Sequence, residues 1–344
     1  MTTPEQAFLF SHNEMTTMFP NSSANLTTVP PSSPSALKTA SDVVIKSTLI
    51  IIMAGMGSTI EIKPLLQHIR KPVGIAIGMF SQFIVLPAVT FGLAHALQMS
   101  TYPALGMLVM ASCPGGSTSN VFSYWMDGDV PLSVAMTATS TVMAMGMMPL
   151  NLFIYSRSWT DQALVIPYVN IAISFVMTIT PAAVGMFIRW KWPKLADIVV
   201  KCGSIAGAIA EVLTLTLMSV MYPFMYRTSW NIYLGALLLP TVGFLFGYMV
   251  ATIFRMDKSR RITVSLETGI QNFPLCMTLL TLTFDRSMFG LISLFPLMYG
   301  VTCIVCSIIF LFLYKIFVYM KNRNDKHGFD AVAKSEMEVN GQKV

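Results

Sequence analysis

Glu267 is an acidic side chain in an apolar run, "LETGIQNFP" over residues 266–274, with Gln271, Asn272 and Pro274 close behind it. Far upstream, "CPGGSTSN" over 113–120 joins a proline and two glycines to Ser119 and Asn120, again between apolar stretches. Ser133 and Thr137 are four residues apart and so share one face of a helix, and Gln82 stands in a greasy segment just before Pro87. All of these groups offer oxygen. A zinc site would want histidine or cysteine, but His68, His95 and His327 fall at segment ends or in loops. One carboxylate among neutral oxygens suits a hard monovalent cation. An acidic side chain at the centre of a membrane helix costs on the order of 3 kcal/mol to insert, and no Lys or Arg falls at the depth of Glu267 to offset it, so a bound cation is its natural partner. Ser133 and Thr137 taken alone fit helix back-bonding or small-residue packing equally well.

These residues must be held by helices in lipid. Of the 344 residues 54% are hydrophobic and only 11% charged, less than half of the roughly 25% usual in soluble domains. Basic residues are not interleaved with aromatics on a polar face, which excludes a nucleic-acid binder. Paired acids, a Ser–His pair or a His-rich metal set, which an intramembrane enzyme needs, do not occur, so no catalytic role and no cofactor is expected. A bilayer core of about 30 Å takes about 20 helical residues, and spans fall near 42–60, 73–97, 103–126, 130–155, 165–188, 198–221, 231–254, 262–284 and 289–319. The expected class is an all-α polytopic membrane protein with nine transmembrane helices in 41–320, a polar segment 1–40 and a polar, mobile tail over 321–344.

An odd number of spans puts the termini on opposite sides. Seventeen of the 22 basic residues fall in one set of loops, including Lys63, Arg70, Arg189, Lys194, Lys258, Arg260 and the tail from Lys321. Basic loops stay cytoplasmic, so the amino terminus is expected outside and the carboxyl tail inside. Asn21 and Asn25 each open a glycosylation sequon, which requires the same orientation.

Pro114 and its glycines interrupt one span, and the Glu267 run interrupts another. Backbone groups freed at membrane depth must be buried in protein or line a wet cavity. The first break lies about 40 residues into the block 73–155 and the second a little under 40 residues into 231–319, and the two blocks start on opposite sides. Paired broken spans in matching halves point to the central site of a transporter built from inverted repeats.

"CPGGSTSN", "DGD" at 127–129, "LSVAMTATSTVMAMGMMPL" and "ETGIQN", with "GSIAGAI" at 203–209 and "MFIRWKWP" at 186–193, resemble the sodium/bile acid cotransporter family over about residues 40–320. The resemblance implies a panel domain (42–60, 165–188 and 198–221) and a core domain (73–155 and 231–319) whose two broken helices cross. It implies two sodium ions as co-substrates. Ser119, Asn120, Ser133, Thr137 and Glu267 match the first site, and Gln82, Glu267 and Gln271 with the backbone near Ile270 match the second. The implied function is a plasma-membrane symporter importing bile acids or related amphipathic anions, such as sulfated steroids, through a cleft between panel and core. Asn272 and Pro274 would border that cleft.

The sequence departs from the family at two points. Pro274 stands where members usually carry Gln, which predicts a longer unwound region, because proline removes a donor and clashes with the preceding turn. Glu211 interrupts an apolar panel span and would repel an anion if it faced the cleft, leaving a cationic or zwitterionic substrate open. Proton coupling, or a non-transporting sodium-binding receptor-like protein, are the rival readings.

Overall fold

The computed structural model describes the backbone of residues 73–159, 168–221, 226–284 and 286–341 and isolated positions between 43 and 60, with the side chains of most of these residues. The described residues are almost wholly helical. Helix α1 runs Val73–Ala96, α2 Thr101–Ser112, α3 Thr118–Trp125, α4 Val130–Tyr155, α5 Tyr168–Lys191 and α6 Pro193–Met221. There follow α7 Trp230–Ile253, α8 Lys258–Gly269, α9 Phe273–Thr283, the short α10 Arg286–Ile292 and α11 Leu294–Gly341. Among the described residues Val73–Ala96, Val130–Ser158, Trp230–Ile253 and Met288–Lys321 are each long and apolar enough to cross a bilayer, as expected from the sequence. The described positions between 43 and 59 are helical, and α5 and α6 coincide with the spans read at 165–188 and 198–221. Past Lys321 the polar tail continues the helix to Gly341 instead of leaving regular structure.

The two spans read as continuous over 103–126 and 262–284 are each divided into half-helices. Cys113 precedes a proline, which disfavours helical backbone, and is extended at φ −66° and ψ 155°. The chain resumes helix only at Thr118. On the other side Ile270 is extended, ending α8, and Asn272 caps α9 by accepting from the Leu275 N–H at 3.1 Å. Pro274 falls in the first turn of α9, where a missing N–H costs nothing because it had no helical acceptor. The expectation that Pro274 lengthens the unwound stretch is therefore corrected: it starts the second half-helix, and the break spans only Ile270–Asn272.

Both halves thus run long helix, divided helix, long helix: α1, α2/α3, α4 and then α7, α8/α9, α11. The half-helix α2 sits at the centre, with every residue from Pro103 to Ser112 buried; α1, α4, α10 and α11 pack around it. The outer face of α11 exposes Ile308, Ile309, Phe312, Leu313 and Phe317, an apolar belt of the kind that faces lipid tails. Away from this core, a Cβ on Gly57 would meet the Ala182 carbonyl oxygen at 1.9 Å and one on Gly185 would meet that of Ala54 at 2.1 Å. Glycine there lets the first helical segment and α5 touch backbone to backbone. Arg189 locks the same crossing, donating from Nε to the Ser58 carbonyl at 2.5 Å and pairing with Asp197 at 2.7 Å.

Candidate functional site

The two breaks meet. Gly116 N–H donates to the Ile270 carbonyl at 2.9 Å and Asn272 N–H to the Pro114 carbonyl at 3.0 Å, an antiparallel bridge between Gly115 and Gln271. Backbone groups released by each break are thereby satisfied by the other, as burial in low dielectric demands. Gly115 N–H donates to Ser140 Oγ at 3.2 Å, and the Tyr299 hydroxyl accepts from Gln271 N–H at 3.1 Å while donating to the Gly269 carbonyl at 2.7 Å. The approach leaves no room for side chains at the glycines: a Cβ on Gly116 would lie 2.7 Å from the Gln271 carbonyl oxygen.

Beside the bridge lies Glu267, near the end of α8 and 2% exposed. Its Oε2 accepts from Ser119 Oγ at 2.5 Å and from Ser133 Oγ at 3.3 Å, and its Oε1 accepts from Thr137 Oγ1 at 2.6 Å. Asn120 joins through its Oδ1, 3.4 Å from Thr137 Oγ1. Thus α3, α4 and α8 each bring oxygen to one point, and Ser133 and Thr137 do so because their spacing is one helical turn. None of the ion pairs among the described residues includes Glu267. A buried carboxylate surrounded only by neutral hydroxyls retains most of its desolvation cost. Turning the hydroxyl hydrogens aside would present lone pairs of the same oxygens to a cation. Among the described residues no cluster of three His, Cys, Asp or Glu side chains occurs.

On the other side of the bridge Gln82 and Gln271 meet, 2% and 4% exposed. Gln82 Nε2 donates to the Cys113 carbonyl at 2.6 Å and to Gln271 Oε1. Gln271 Nε2 donates to the Thr268 carbonyl at 2.9 Å and approaches Gln82 Oε1 at 3.3 Å. The structure therefore gathers Ser119, Asn120, Ser133, Thr137 and Glu267 in one cluster and Gln82 with Gln271 in another. The Glu267 carboxylate is turned to the first, and the Ile270 carbonyl is occupied by the bridge. Asn272 is 1% exposed; its Oδ1 caps α9, but its Nδ2 has no hydrogen-bond partner among the described residues. Glu211 falls on α6, with its side chain outside the described residues, as are Asn21 and Asn25 altogether.

Three features of the site escape the sequence reading: Ser140, Tyr299 and the π-helical turn that carries Gln82. Ser140 lies on the Ser133 and Thr137 face of α4, and its spacing could have revealed it. Tyr299 carries no local signal. Gln82 sits on a π-helical turn, Ser81–Val85, and π-bulges collect at functional sites but have no sequence period that marks them.

Residues 47–226 match the Sodium Bile acid symporter family. The chain is 40% identical over 278 residues to an "Ileal sodium/bile acid cotransporter" of Oryctolagus cuniculus, covering 80% of each chain. It is 38% identical over 277 residues to that of Homo sapiens, again covering 80% of each. With a "Sodium-dependent organic anion transporter" of Homo sapiens it shares 36% identity over 283 residues, 81% of this chain and 74% of that protein.

Proposed function

The chain belongs to the sodium bile acid symporter family, a family of transporters and not enzymes, and on that premise we propose that it imports bile acids or related amphipathic organic anions, such as sulfated steroids, by sodium-coupled alternating access. The observation that carries the reading is Glu267, a buried carboxylate met only by hydroxyls where two divided helices join. In this reading one sodium ion binds among Ser119, Asn120, Ser133, Thr137 and Glu267. A second binds at Gln82 and Gln271; for Glu267 and the Ile270 backbone to complete its shell, the carboxylate must turn from the hydroxyls and the Ile270 carbonyl must use its second lone pair beside the bridge. Two sodium ions with one monovalent anion carry one net positive charge inward, so the membrane potential adds about 2.3 kcal/mol per 100 mV. Binding ties α3, α4 and α8 together, so that the substrate meets a stable surface only when sodium is present.

Nine spans form two inverted repeats, α1–α4 and α7–α11, as a core domain with its divided helices crossing, and the first helical segment with α5 and α6 forms the panel. Substrate occupies the cleft between them. Asn272 Nδ2, buried and without a partner among the described residues, is a donor suited to a carboxylate or sulfate once panel and core part, and Pro274 leaves an apolar surface next to it. The experiment is tracer uptake in cells expressing the chain, with sodium exchanged for choline at fixed pH across a panel of anionic, zwitterionic and cationic amphiphiles. Uptake that survives in choline and follows pH instead would establish proton coupling, and sodium binding without uptake of any probe would favour the receptor-like alternative.

Glu211 sets charge preference from the panel side in this reading. Glu211→Ala is expected to improve half-saturation for monoanionic steroids about two- to tenfold, the scale of one screened charge contact, while leaving sodium dependence alone. An unchanged selectivity profile across the panel would remove Glu211 from the cleft.

The protein resides in the plasma membrane with residues 1–40 outside, Asn21 or Asn25 glycosylated, and 321–344 in the cytoplasm. The bias of basic loops supports this. Glycosidase treatment should shift the wild type but not the Asn21→Gln/Asn25→Gln double variant, and an epitope at Val344 should stain only permeabilised cells. Staining of intact cells would reverse the orientation.

A further inference from the structure

We propose that Asn151 is a positioning residue for sodium binding, acting through Gln82 from the far end of α4. Pro87 has no N–H, so the Phe83 carbonyl four residues before it loses its α-helical donor. The chain takes up the mismatch as the π-helical turn Ser81–Val85, closed by Leu86 N–H donating to the Ser81 carbonyl. A turn of this kind is stable in lipid only where the stranded carbonyls find other donors. Asn151 supplies one: its Nδ2 donates to the Phe83 carbonyl at 3.1 Å, and Asn151 is 3% exposed. Phe83 is the residue after Gln82, so this bond fixes the backbone that aims the Gln82 amide at Gln271 and at the Cys113 carbonyl. Because α4 also carries Ser133 and Thr137, the bond sets the register of α1 against the helix whose hydroxyls donate to Glu267 of α8. Both clusters then refer to one rigid element.

The inference rests on the proposed sodium sites, and its test separates the two. The purified protein is titrated with sodium, with choline balancing ionic strength, and sodium-induced thermal stabilisation is followed; no transported substrate is needed. Asn151→Leu removes the donor at similar volume, and Asn151→Ser keeps a smaller polar group should the leucine variant not fold. In wild type, sodium should stabilise; its absence would sink the proposed sites themselves. Gln82→Ala and Asn151→Leu should each move the midpoint to about three- to tenfold higher sodium, the scale of one lost buried hydrogen bond, with Asn151→Ser intermediate. The double variant Gln82→Ala/Asn151→Leu should match Gln82→Ala alone, a result that a purely structural role does not produce. A wild-type midpoint in Asn151→Leu or, if that variant does not fold, in Asn151→Ser, or additive shifts in the double variant, would overturn the positioning role while leaving the sodium sites standing.

Discussion

Glu267→Gln is expected to lower sodium-driven uptake at least about a hundredfold while leaving the protein at the cell surface. Removing one partner of a buried charge pair costs about 3–5 kcal/mol, and each 1.4 kcal/mol is about a factor of ten. Glutamine has the size of glutamate; its amide oxygen can still accept from Ser119 or Thr137, and its NH2 can donate to the hydroxyl oxygen of the other. It removes the anionic member of a cluster whose other members are neutral. The fold is spared because, without sodium, an amide is cheaper to bury than an unpaired carboxylate. Tracer uptake normalised to surface biotinylation reads the effect. Uptake within a few-fold of wild type at equal surface amount would mean that Glu267 does not hold the ion.

Gly115→Ala is expected to be damaging too, although it adds only one methyl group. The added Cβ would stand 2.2 Å from Glu267 Oε1 and 2.8 Å from its Cδ. A carboxylate tip at the end of a free side chain could swing away, but this one is held by Ser119 at 2.5 Å and Thr137 at 2.6 Å. Reaching ordinary contact distance requires a displacement of roughly an ångström or more, which breaks at least the Thr137 bond. No glycine among the described residues has positive φ, so the cost lies in close approach and not in backbone strain. Uptake should fall at least about tenfold, as expected for loss of one charge-assisted hydrogen bond or more. Gly146→Ala is the control, since a Cβ there meets nothing within 4 Å, and it should transport normally. Normal transport by Gly115→Ala would show that the carboxylate is not pinned where the hydroxyls place it.

Much of this site is legible in the sequence. Depth in an apolar run marked Glu267, helical spacing paired Ser133 with Thr137, and proline with glycine marked both interruptions. What a linear pattern could not give was the partner of each freed group. Nothing near residue 114 says that its carbonyl is met by Asn272, nor that Gly115 is glycine because a carboxylate from residue 267 fills the space of its side chain. Pro274 misleads for a physical reason: proline is costly inside a helix and free in its first turn, and the difference depends on where α9 begins. The π turn at Gln82 was hidden because one inserted residue leaves the apolar pattern of a buried helix unchanged. The polarity of the tail past Lys321 reports solvation and not the continuation of a helix already nucleated by α11.

In the proposed mechanism the sodium held at the junction of the divided helices and the organic anion in the cleft between panel and core cross the membrane together. The most direct measurement of this coupling uses the purified protein in liposomes with equal sodium on both sides and an inward gradient of a steroid anion that the protein transports. Radioactive sodium should then accumulate inside against no gradient of its own, and it should fail to do so with Glu267→Gln. Entry of the anion without accompanying sodium in the wild type would contradict coupling at this site.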